Sequence, residues 1–167
     1  MGCKPSRAEK GAASDAYAAA GGVAESVSAA PELPEDDYVP HITGLVSGDF
    51  AVAGGEGWLY LYDGQTMRQL SKFRAHKKAV NRLLEGPGGS LLTASADGTV
   101  RLWNQDGLKE GSPKPVQQFE GHIMSVSALD IVEEWGSAGE MQAGTALFTG
   151  SRDCSVMLWD LETGRSV

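Results

Sequence analysis

The chain has 167 residues, which suffices for one domain of ordinary size. It carries 14 Lys and Arg against 22 Asp and Glu, a formal net charge of −8, and so acidic a chain is not expected to bind nucleic acid. Its two cysteines, Cys3 and Cys154, lack zinc-ligand spacing and follow no signal peptide, which favours a reducing intracellular setting. No apolar run approaches the roughly 20 residues of a membrane-spanning helix.

The first 39 residues differ in composition from the rest. Residues 11–30 are mostly Ala, Gly and Ser, and residues 31–40 add prolines and an acidic run. So few large apolar side chains cannot build a core, and residues 1–39 are predicted to be a disordered tether. A short helix in the Ala-rich part is the alternative, although the Gly21–Gly22 pair interrupts it.

The first ten residues, MGCKPSRAEK, fit a lipidation signal. Removal of Met1 exposes Gly2, and Ser6 stands at the offset typical of N-myristoylation. Cys3 would take palmitate, and three basic residues against one acidic residue suit an anionic leaflet. One myristoyl chain binds a membrane only marginally, so a second signal is needed for stable attachment. We therefore expect acylation of Gly2 and Cys3, with the chain at the cytoplasmic face of a membrane.

Beyond Pro40, apolar residues recur with a period of two, in short runs separated by Gly, Asp, Asn or Pro. The Asp-Gly pair of Ala96–Thr99 indicates a hairpin turn, and Gly86–Ser90 a looser one. The pattern predicts a strand meander. Its strands are Ile42–Val46, Phe50–Ala53, Trp58–Tyr62, Arg68–Phe73, Ala79–Glu85, Leu91–Ser95, Val100–Asn104, Val116–Phe119, Val126–Val132, Ala146–Gly150 and Val156–Leu161.

The strands recur in groups. LLTASADGTVRLWN at 91–104 and LFTGSRDCSVMLWD at 147–160 share seven of fourteen positions. Each group ends on an aromatic and a polar residue, at Tyr62, Trp103 and Trp159, spaced by 41 and 56 residues. Propeller blades repeat every 40 to 45 residues or so. The extra length of the third unit, around Glu133–Gly144, is predicted to be a loop inserted between two strands.

These motifs resemble those of the WD-repeat β-propeller family. The matching residues are the pairs Ala75-His76 and Gly121-His122, the turn aspartates Asp97 and Asp153, and the tryptophans Trp103 and Trp159. The resemblance implies an all-β fold, a partial propeller of about three four-stranded meander blades. Blade one spans 40–74, blade two 75–120 and an incomplete blade three 121–167. The first unit departs from the pattern, with Pro40-His41 for the Gly-His pair, Glu56 for the Asp and Tyr62 for the Trp.

The resemblance also implies a structural hydrogen-bond network in each blade. A buried Trp has one N–H that must find an acceptor, and in the family a strand hydroxyl, the His and the turn Asp complete the relay. In blade two these are Trp103, Thr93 or Ser95, His76 and Asp97. In blade three they are Trp159, Thr149 or Ser151, His122 and Asp153.

The same residues suggest chemistry of another kind. His122, Asp153 and Ser151 could form a catalytic triad, and Asp97 with His76 a metal site. The constellation occurs twice in register with the repeat, whereas an active site needs to occur once, and no GxSxG, GxxxxGK or HExxH motif is present. We expect no catalytic residue, no metal site and no cofactor.

Protein partners are expected instead, and the surface offers several candidate contacts. Arg74, Lys77 and Lys78 form a basic group before blade two, and Arg152 lies beside the turn aspartate of blade three. Trp135 suits an interaction hot spot. The alternatives are solvated charges and a Trp135 that folds back onto its own blade.

Closure of the propeller is the remaining question. The pattern predicts eleven strands and not twelve, and propellers close with 4 to 8 blades. A truncated product, self-association and completion by another chain are the alternatives.

Within the family, the chain is similar to small ciliary proteins of the type called WD repeat-containing protein 31, which also begin Met-Gly. That similarity implies a membrane-tethered scaffold in cilium assembly or ciliary traffic. A soluble adaptor subunit of a larger complex is the alternative.

Overall fold

The computed structural model describes residues 37–110, 113–135 and 144–167. Within these ranges the chain forms eleven strands in three antiparallel sheets. The strands are β1 (His41–Gly44), β2 (Phe50–Ala53), β3 (Trp58–Tyr62), β4 (Gln69–Arg74), β5 (Val80–Glu85), β6 (Leu91–Ser95), β7 (Thr99–Trp103), β8 (Gln117–Glu120), β9 (Val126–Trp135), β10 (Gly144–Ser151) and β11 (Val156–Asp160). A one-turn helix, α1 (Gln105–Leu108), follows β7, and a 3-10 turn, Pro87–Gly89, follows β5.

Each sheet is a simple meander. Blade one has the order β1-β2-β3-β4, blade two β5-β6-β7-β8 and blade three β9-β10-β11. The first strands of the three blades are neighbours, with β5 between β1 and β9. This arrangement is an open, partial propeller, and the predicted all-β fold class is confirmed.

The core lies between successive blades. Phe73 of blade one and Trp103 of blade two pack with ring centroids 5.2 Å apart, and Phe119 of blade two and Trp159 of blade three with centroids 5.7 Å apart. Leucines fill the space around each aromatic pair, among them the fully buried Leu59 and Leu147. Each buried leucine or phenylalanine contributes roughly 1.5–3 kcal/mol through removal of apolar surface from water. Each blade is therefore stabilised mainly by its neighbour.

The insertion in blade three begins and ends as strand, and the prediction of a loop over Glu133–Gly144 was wrong at both ends. β9 continues to Trp135, which pairs with Gly144 at the start of β10. A register shift separates this pair from the regular ladder that resumes at Ala146. The ends of these strands were not predicted because the sequence there is mostly polar. Hydrogen bonds between paired strands join backbone groups and do not need apolar side chains. Residues 136–143 lie outside the described residues.

Residues 37–39, predicted to belong to the tether, are bound to blade one. The Gly55 N–H donates to the Tyr38 carbonyl at 2.9 Å, and the Tyr60 hydroxyl donates to the Asp37 carboxylate at 3.0 Å.

Helix α1 was not predicted, because four residues are too few to show a helical period. Its Asn104 side chain caps it, and Leu108 is fully buried.

Candidate functional site

The predicted network of blade two is present as a continuous chain of hydrogen bonds. Trp103 Nε1 donates to Thr93 Oγ1 at 2.9 Å, and Thr93 Oγ1 lies 2.7 Å from His76 Nε2. His76 Nδ1 lies 3.2 Å from Asp97 Oδ2. Thr93 and Trp103 are diagonal neighbours on one face of the sheet, because β6 and β7 pair antiparallel with Leu91 opposite Trp103 and Thr93 opposite Arg101. The hairpin turn then returns Asp97 to His76, which precedes β5.

The direction of each bond follows from the chemistry of Asp97. Burial alone would raise the pKa of this carboxyl, but hydrogen bonds from His76, Thr99 and the Lys77 N–H outweigh it and hold the pKa well below its usual range. The ionised carboxylate only accepts, so His76 Nδ1 carries the donated proton and Nε2 accepts from the Thr93 hydroxyl. Burial has the largest effect on the pKa of His76 and lowers it, and the charge of Arg101 lowers it further. The hydrogen bond and charge of Asp97 act in the opposite direction but do not outweigh them. The lowered pKa favours the neutral ring.

Blade three repeats the arrangement with nearly the same distances. Trp159 Nε1 donates to Thr149 Oγ1 at 2.9 Å, and Thr149 Oγ1 lies 2.8 Å from His122 Nε2. His122 Nδ1 lies 3.1 Å from Asp153 Oδ2. Hydrogen bonds from the Ser155 hydroxyl and backbone, helped by His122, outweigh burial and hold the pKa of Asp153 well below its usual range. The two networks, here called the relays, are equivalent in both blades.

The strand hydroxyl of each relay is the threonine and not the serine. Ser95 Oγ instead accepts from the Asp97 N–H and donates to the Lys78 carbonyl. Ser151 does the same, with the Asp153 N–H and the Met124 carbonyl. The serines therefore tie the turn to the preceding loop.

One further hydroxyl in blade two and one in blade three were not predicted from the sequence. Thr99 donates to Asp97 Oδ1 at 2.7 Å, and Ser155 to Asp153 Oδ1 at 2.5 Å. Both residues stand two positions after the turn aspartate, and that spacing is a signal that could have identified them.

The geometry does not match a catalytic triad. A triad places the nucleophile on one imidazole nitrogen and the carboxylate on the other. Ser155 Oγ lies 3.0 Å from His122 Nδ1, the nitrogen that Asp153 already occupies. The other nitrogen faces Thr149, which is 1% exposed and out of reach of a substrate. Ser151 makes no contact with His122 among the hydrogen bonds of the described residues.

Metal binding finds no support in the relay either. Asp97 Oδ1 accepts from the Thr99 backbone and hydroxyl, and Oδ2 from His76 and the Lys77 N–H. In the part of the chain that the structure describes, no group of three or more His, Cys, Asp or Glu residues is placed to hold a metal ion.

Blade one replaces every member of the relay. Phe50 pairs with Tyr62 as Leu91 pairs with Trp103. Counting from this register puts Val52 at the threonine position, Glu56 at the aspartate position and Tyr62 at the tryptophan position. In blade two, His76 lies four positions before the first strand. In blade one, Asp37 lies at the corresponding position.

The prediction that His41 takes the place of the Gly-His histidine was therefore wrong. His41 lies within β1, and its Nδ1 accepts from the Leu83 N–H of blade two at 3.3 Å. Burial, and secondly the charge of Arg82, lower the pKa of His41 and favour the neutral ring that can accept this bond.

A different contact replaces the relay of blade one. The Tyr60 hydroxyl donates to Asp37, and burial followed by this bond raises the pKa of Tyr60. The Tyr62 hydroxyl is buried and has no hydrogen-bond partner among the residues that the structure describes. Blade one thus keeps the apolar part of the pattern and loses its continuous polar chain.

Arg74 and Lys77 of the basic group before blade two line an open cavity of about 430 Å³, together with His76 and Arg101. Arg74 donates to the carbonyls of His76 and Lys77, each at 3.4 Å, and Arg101 donates to the Ala75 carbonyl. Arg101 was missed because its position in β7, next to this loop, depends on the pairing of the sheet. Lys77 and Lys78 are exposed, and Lys78 does not line the cavity.

The remaining candidate contacts are placed only in part. Arg152 is exposed in the turn of blade three, on the same face as the basic cavity. The backbone of Trp135 ends β9, and its side chain lies outside the described part of the structure. Gly2 and Cys3 lie outside the described residues as well. No helix among the described residues combines the length and apolar character needed to cross a membrane.

Comparison with known proteins agrees with the fold. The profile of the family described as "WD domain, G-beta repeat" matches residues 67–104 and 113–160. Each matched range begins near the last strand of one blade and ends with the third strand of the next, so the sequence repeat is offset from the blade. The ranges omit β1–β3, where the relay residues are replaced.

Individual relatives share this region. The chain is 36% identical over 130 residues to the nuclear distribution protein PAC1 of Fusarium vanettenii, covering 76% of this chain and 27% of that protein. It is 32% identical over 133 residues to the pre-rRNA-processing protein IPI3 of Mycosarcoma maydis, covering 70% of this chain and 22% of that protein. The chain thus spans about a quarter of the length of these relatives.

A solved structure shows the same architecture. The RRP9 WD40 repeats superimpose with a TM-score of 0.65 at 15% identity, covering 81% of this chain and 39% of that chain. This likeness concerns the fold alone. WD-repeat proteins serve as protein-interaction scaffolds, including subunits of complexes. From the matched repeats and the duplicated relay, the chain belongs to the WD-repeat family.

Proposed function

We propose that this chain is a non-catalytic scaffold for protein–protein interaction, held at the cytoplasmic face of a membrane by its acylated N-terminus. The observation that carries the scaffold role is the duplication of the relay. His76 and His122 have the same partners in two blades, and the hydroxyl between each His and Trp is buried. Polar groups satisfied in this way rigidify a sheet and are not available to a substrate.

The membrane attachment rests on the sequence of the first ten residues. Gly2, Ser6 and the adjacent Cys3 supply two acylation signals, and the surrounding basic residues favour an anionic leaflet. The similarity to small ciliary WD-repeat proteins supports a role in cilium assembly or ciliary traffic as part of this proposal.

A soluble adaptor subunit of a larger complex is the second candidate. The observation that favours it is that Val132 and Val156, in the two outer strands of blade three, are 42% and 74% exposed. Such side chains suit burial against another chain or a second copy of this one. This candidate requires no lipid.

The two candidates differ in the fate of Gly2. We would measure the intact mass and the membrane partitioning of the full chain expressed in a eukaryotic cell, for the wild type, Gly2→Ala and Cys3→Ser. Tethering predicts a myristoyl mass in the wild type, loss of membrane association in Gly2→Ala and weaker association in Cys3→Ser. An unmodified wild type that partitions like Gly2→Ala would exclude the tether and leave the soluble adaptor.

A further inference from the structure

The end face of blade one, on the side away from blade two, is as buried as a face between two blades. Tyr62 and Val52 take the positions of Trp103 and Thr93, on the face that blade two turns towards blade one. Tyr62 is 1% and Val52 2% exposed, against 2% for Trp103 and 0% for Thr93. In the part of the chain that is described, however, the apolar cluster on this end face contains only blade-one residues and Val39.

The opposite end of the stack shows how an uncovered face differs. Val156 of blade three takes the position of Val100 of blade two, since each pairs with the equivalent residue of the second strand. Val100 is 1% exposed because blade three packs on it, whereas Val156 is 74% exposed. Phe148, on the same outer face, is half-buried, although its counterpart Leu92 is fully buried. The end face of blade one therefore has a cover that the outer face of blade three lacks.

Asp37 binds one end of this face. Its carboxylate accepts from the Tyr60 hydroxyl at 3.0 Å and from a backbone N–H of the β2–β3 turn at 3.2 Å. Tyr62 lies two residues further along β3, about 7 Å from Tyr60, towards the other end of the face. The next segment of the chain, residues 31–36, joins the face at Asp37.

The repeat indicates which residue of that segment corresponds to a known packing contact. In blades two and three, a phenylalanine of the preceding blade packs on the relay tryptophan, with ring centroids 5.2 and 5.7 Å apart. In both cases this phenylalanine stands three positions before the relay histidine. Blade one has Asp37 at the histidine position and Tyr62 at the tryptophan position. The residue three positions before Asp37 is Pro34, which therefore corresponds to the phenylalanine.

The sequence of the segment suits an aromatic surface. PELPED, at 31–36, has two prolines three positions apart, and prolines favour the extended polyproline II helix. That helix has three residues per turn, so Pro31, Pro34 and Asp37 share one side of it. Segments of this kind bind grooves lined by aromatic residues. The outer side of β3 presents three such residues, Trp58, Tyr60 and Tyr62.

Charge favours the same contact. Lys72 Nζ lies 4.8 Å from the centre of the Trp58 ring and 5.2 Å from that of the Tyr60 ring, so it projects over this face. No described carboxylate lies within 4.0 Å of this ammonium group. Residues 31–36 carry the carboxylates of Glu32, Glu35 and Asp36. The charge of the segment is therefore complementary to that of the face.

We infer that residues 31–36 bind back onto the end face of blade one, as a polyproline II segment with the Pro34 ring on the Tyr62 ring. The bond between Asp37 and Tyr60 anchors the segment. This contact goes beyond the proposed function and does not require acylation. It limits the free part of the leader to residues 1–30 and closes this face to another chain.

Nuclear magnetic resonance of the full, unacylated chain tests the contact directly. Isotope-labelled protein should show nuclear Overhauser effects between the Pro34 and Tyr62 rings, and upfield ring-current shifts of the Pro34 protons. In a mixture of labelled and unlabelled protein, an isotope-filtered spectrum should show no such effect between copies. Absence of any effect between residues 31–36 and blade one would overturn the inference. Effects on Tyr62 from another copy would overturn it too, and would identify a second copy as the cover.

Hydroxyl-radical footprinting by mass spectrometry follows the same contact in variants of the full chain. Tyr62 is 1% exposed and Tyr38 62% exposed, so Tyr62 of the wild type should be oxidised much more slowly. Pro31→Ser/Pro34→Ser removes both rings from the segment and should raise the oxidation rate of Tyr62 towards that of Tyr38. Equal Tyr62 rates in this variant and the wild type would overturn the inference.

The matched control is Pro5→Ser, which removes a proline from the same leader outside the proposed segment. Its Tyr62 rate should equal that of the wild type, and a rate as high as that of Pro31→Ser/Pro34→Ser would contradict the assignment of the segment. Trp103, which is 2% exposed between blades one and two, should stay protected in every variant. If Trp103 is oxidised as well, the variant has unfolded, and the spectrum of the wild type decides the question.

Discussion

Replacement of Thr93 by valine tests the relay with little change of shape. Valine has nearly the volume of threonine and lacks its hydroxyl. In the wild type that hydroxyl accepts from Trp103 Nε1 at 2.9 Å and donates to His76 Nε2 at 2.7 Å. Thr93 is fully buried, so water cannot take its place without opening the blade. Thr93→Val therefore leaves two buried polar atoms without partners.

The expected loss follows from those two atoms. A buried donor or acceptor left unsatisfied costs about 1–3 kcal/mol, so Thr93→Val, which leaves two, should lower the free energy of unfolding by about 2–6 kcal/mol. A domain is stable by about 5–15 kcal/mol in total. The loss should be plainly visible in urea unfolding followed by tryptophan fluorescence.

Thr43→Val is the matched control. Thr43 also lies in a strand, but it is only half-buried, and its hydroxyl makes one long contact of 3.4 Å to the next carbonyl. We expect a change within about 0.5 kcal/mol of the wild type. If Thr93→Val and Thr43→Val cost the same, the relay contributes no stability and the reasoning is refuted.

A double-mutant cycle with Trp103→Phe isolates the relay from the loss of packing. Once Thr93 is replaced, the Trp103 N–H has already lost its acceptor, so Trp103→Phe should cost less than it does in the wild type. We expect a coupling free energy of about 1 kcal/mol or more. Additive effects of the two substitutions would show that the bond between them is not energetically significant.

Three further predictions concern other parts of the fold. Tyr62→Phe removes a buried hydroxyl that has no partner within residues 37–110, 113–135 and 144–167, and should be neutral or stabilising, whereas Tyr60→Phe breaks the bond to Asp37 and should cost about 1–2 kcal/mol in urea unfolding. Gly57→Ala and Gly48→Ala both place a side chain at a φ near +90°, but only Gly57 meets backbone, so its loss should exceed that of Gly48 by about 1 kcal/mol or more; equal losses would contradict the packing of turn on loop. Burial lowers the pKa of His76 in the fold, so the unfolded chain binds a proton that the folded chain does not, and the unfolding free energy should fall as the pH drops below about 6.5; this slope should be smaller in His76→Gln.

The strands could be predicted because their signals are local. Alternation of apolar residues and the turns between them depend on neighbours in sequence, and β2, β3 and β6 have the predicted bounds. The insertion in blade three gave no such signal, since β9 continues through Glu133 and Glu134 to Trp135, whose backbone pairs with that of Gly144.

Most members of the relay could be predicted from the sequence, except where the choice between side chains depends on how the strands are placed and paired. Thr93 and Ser95 are two residues apart in a strand, so both point to one face and the sequence cannot choose between them. The structure places Ser95 at the end of the strand, where its hydroxyl meets the turn. Asp37 and Arg101 were missed for a related reason, because their contacts join strands or blades that are distant in sequence.

We expect the two His–Asp pairs to stabilise the blades, in keeping with the proposed scaffold function. The most direct test is the unfolding free energy of His76→Ala and His122→Ala, measured side by side in urea. Because the two histidines have the same partners at nearly the same distances, we expect both variants to lose comparable stability, about 2–4 kcal/mol each. A variant of either histidine that retains the stability of the wild type would contradict the account.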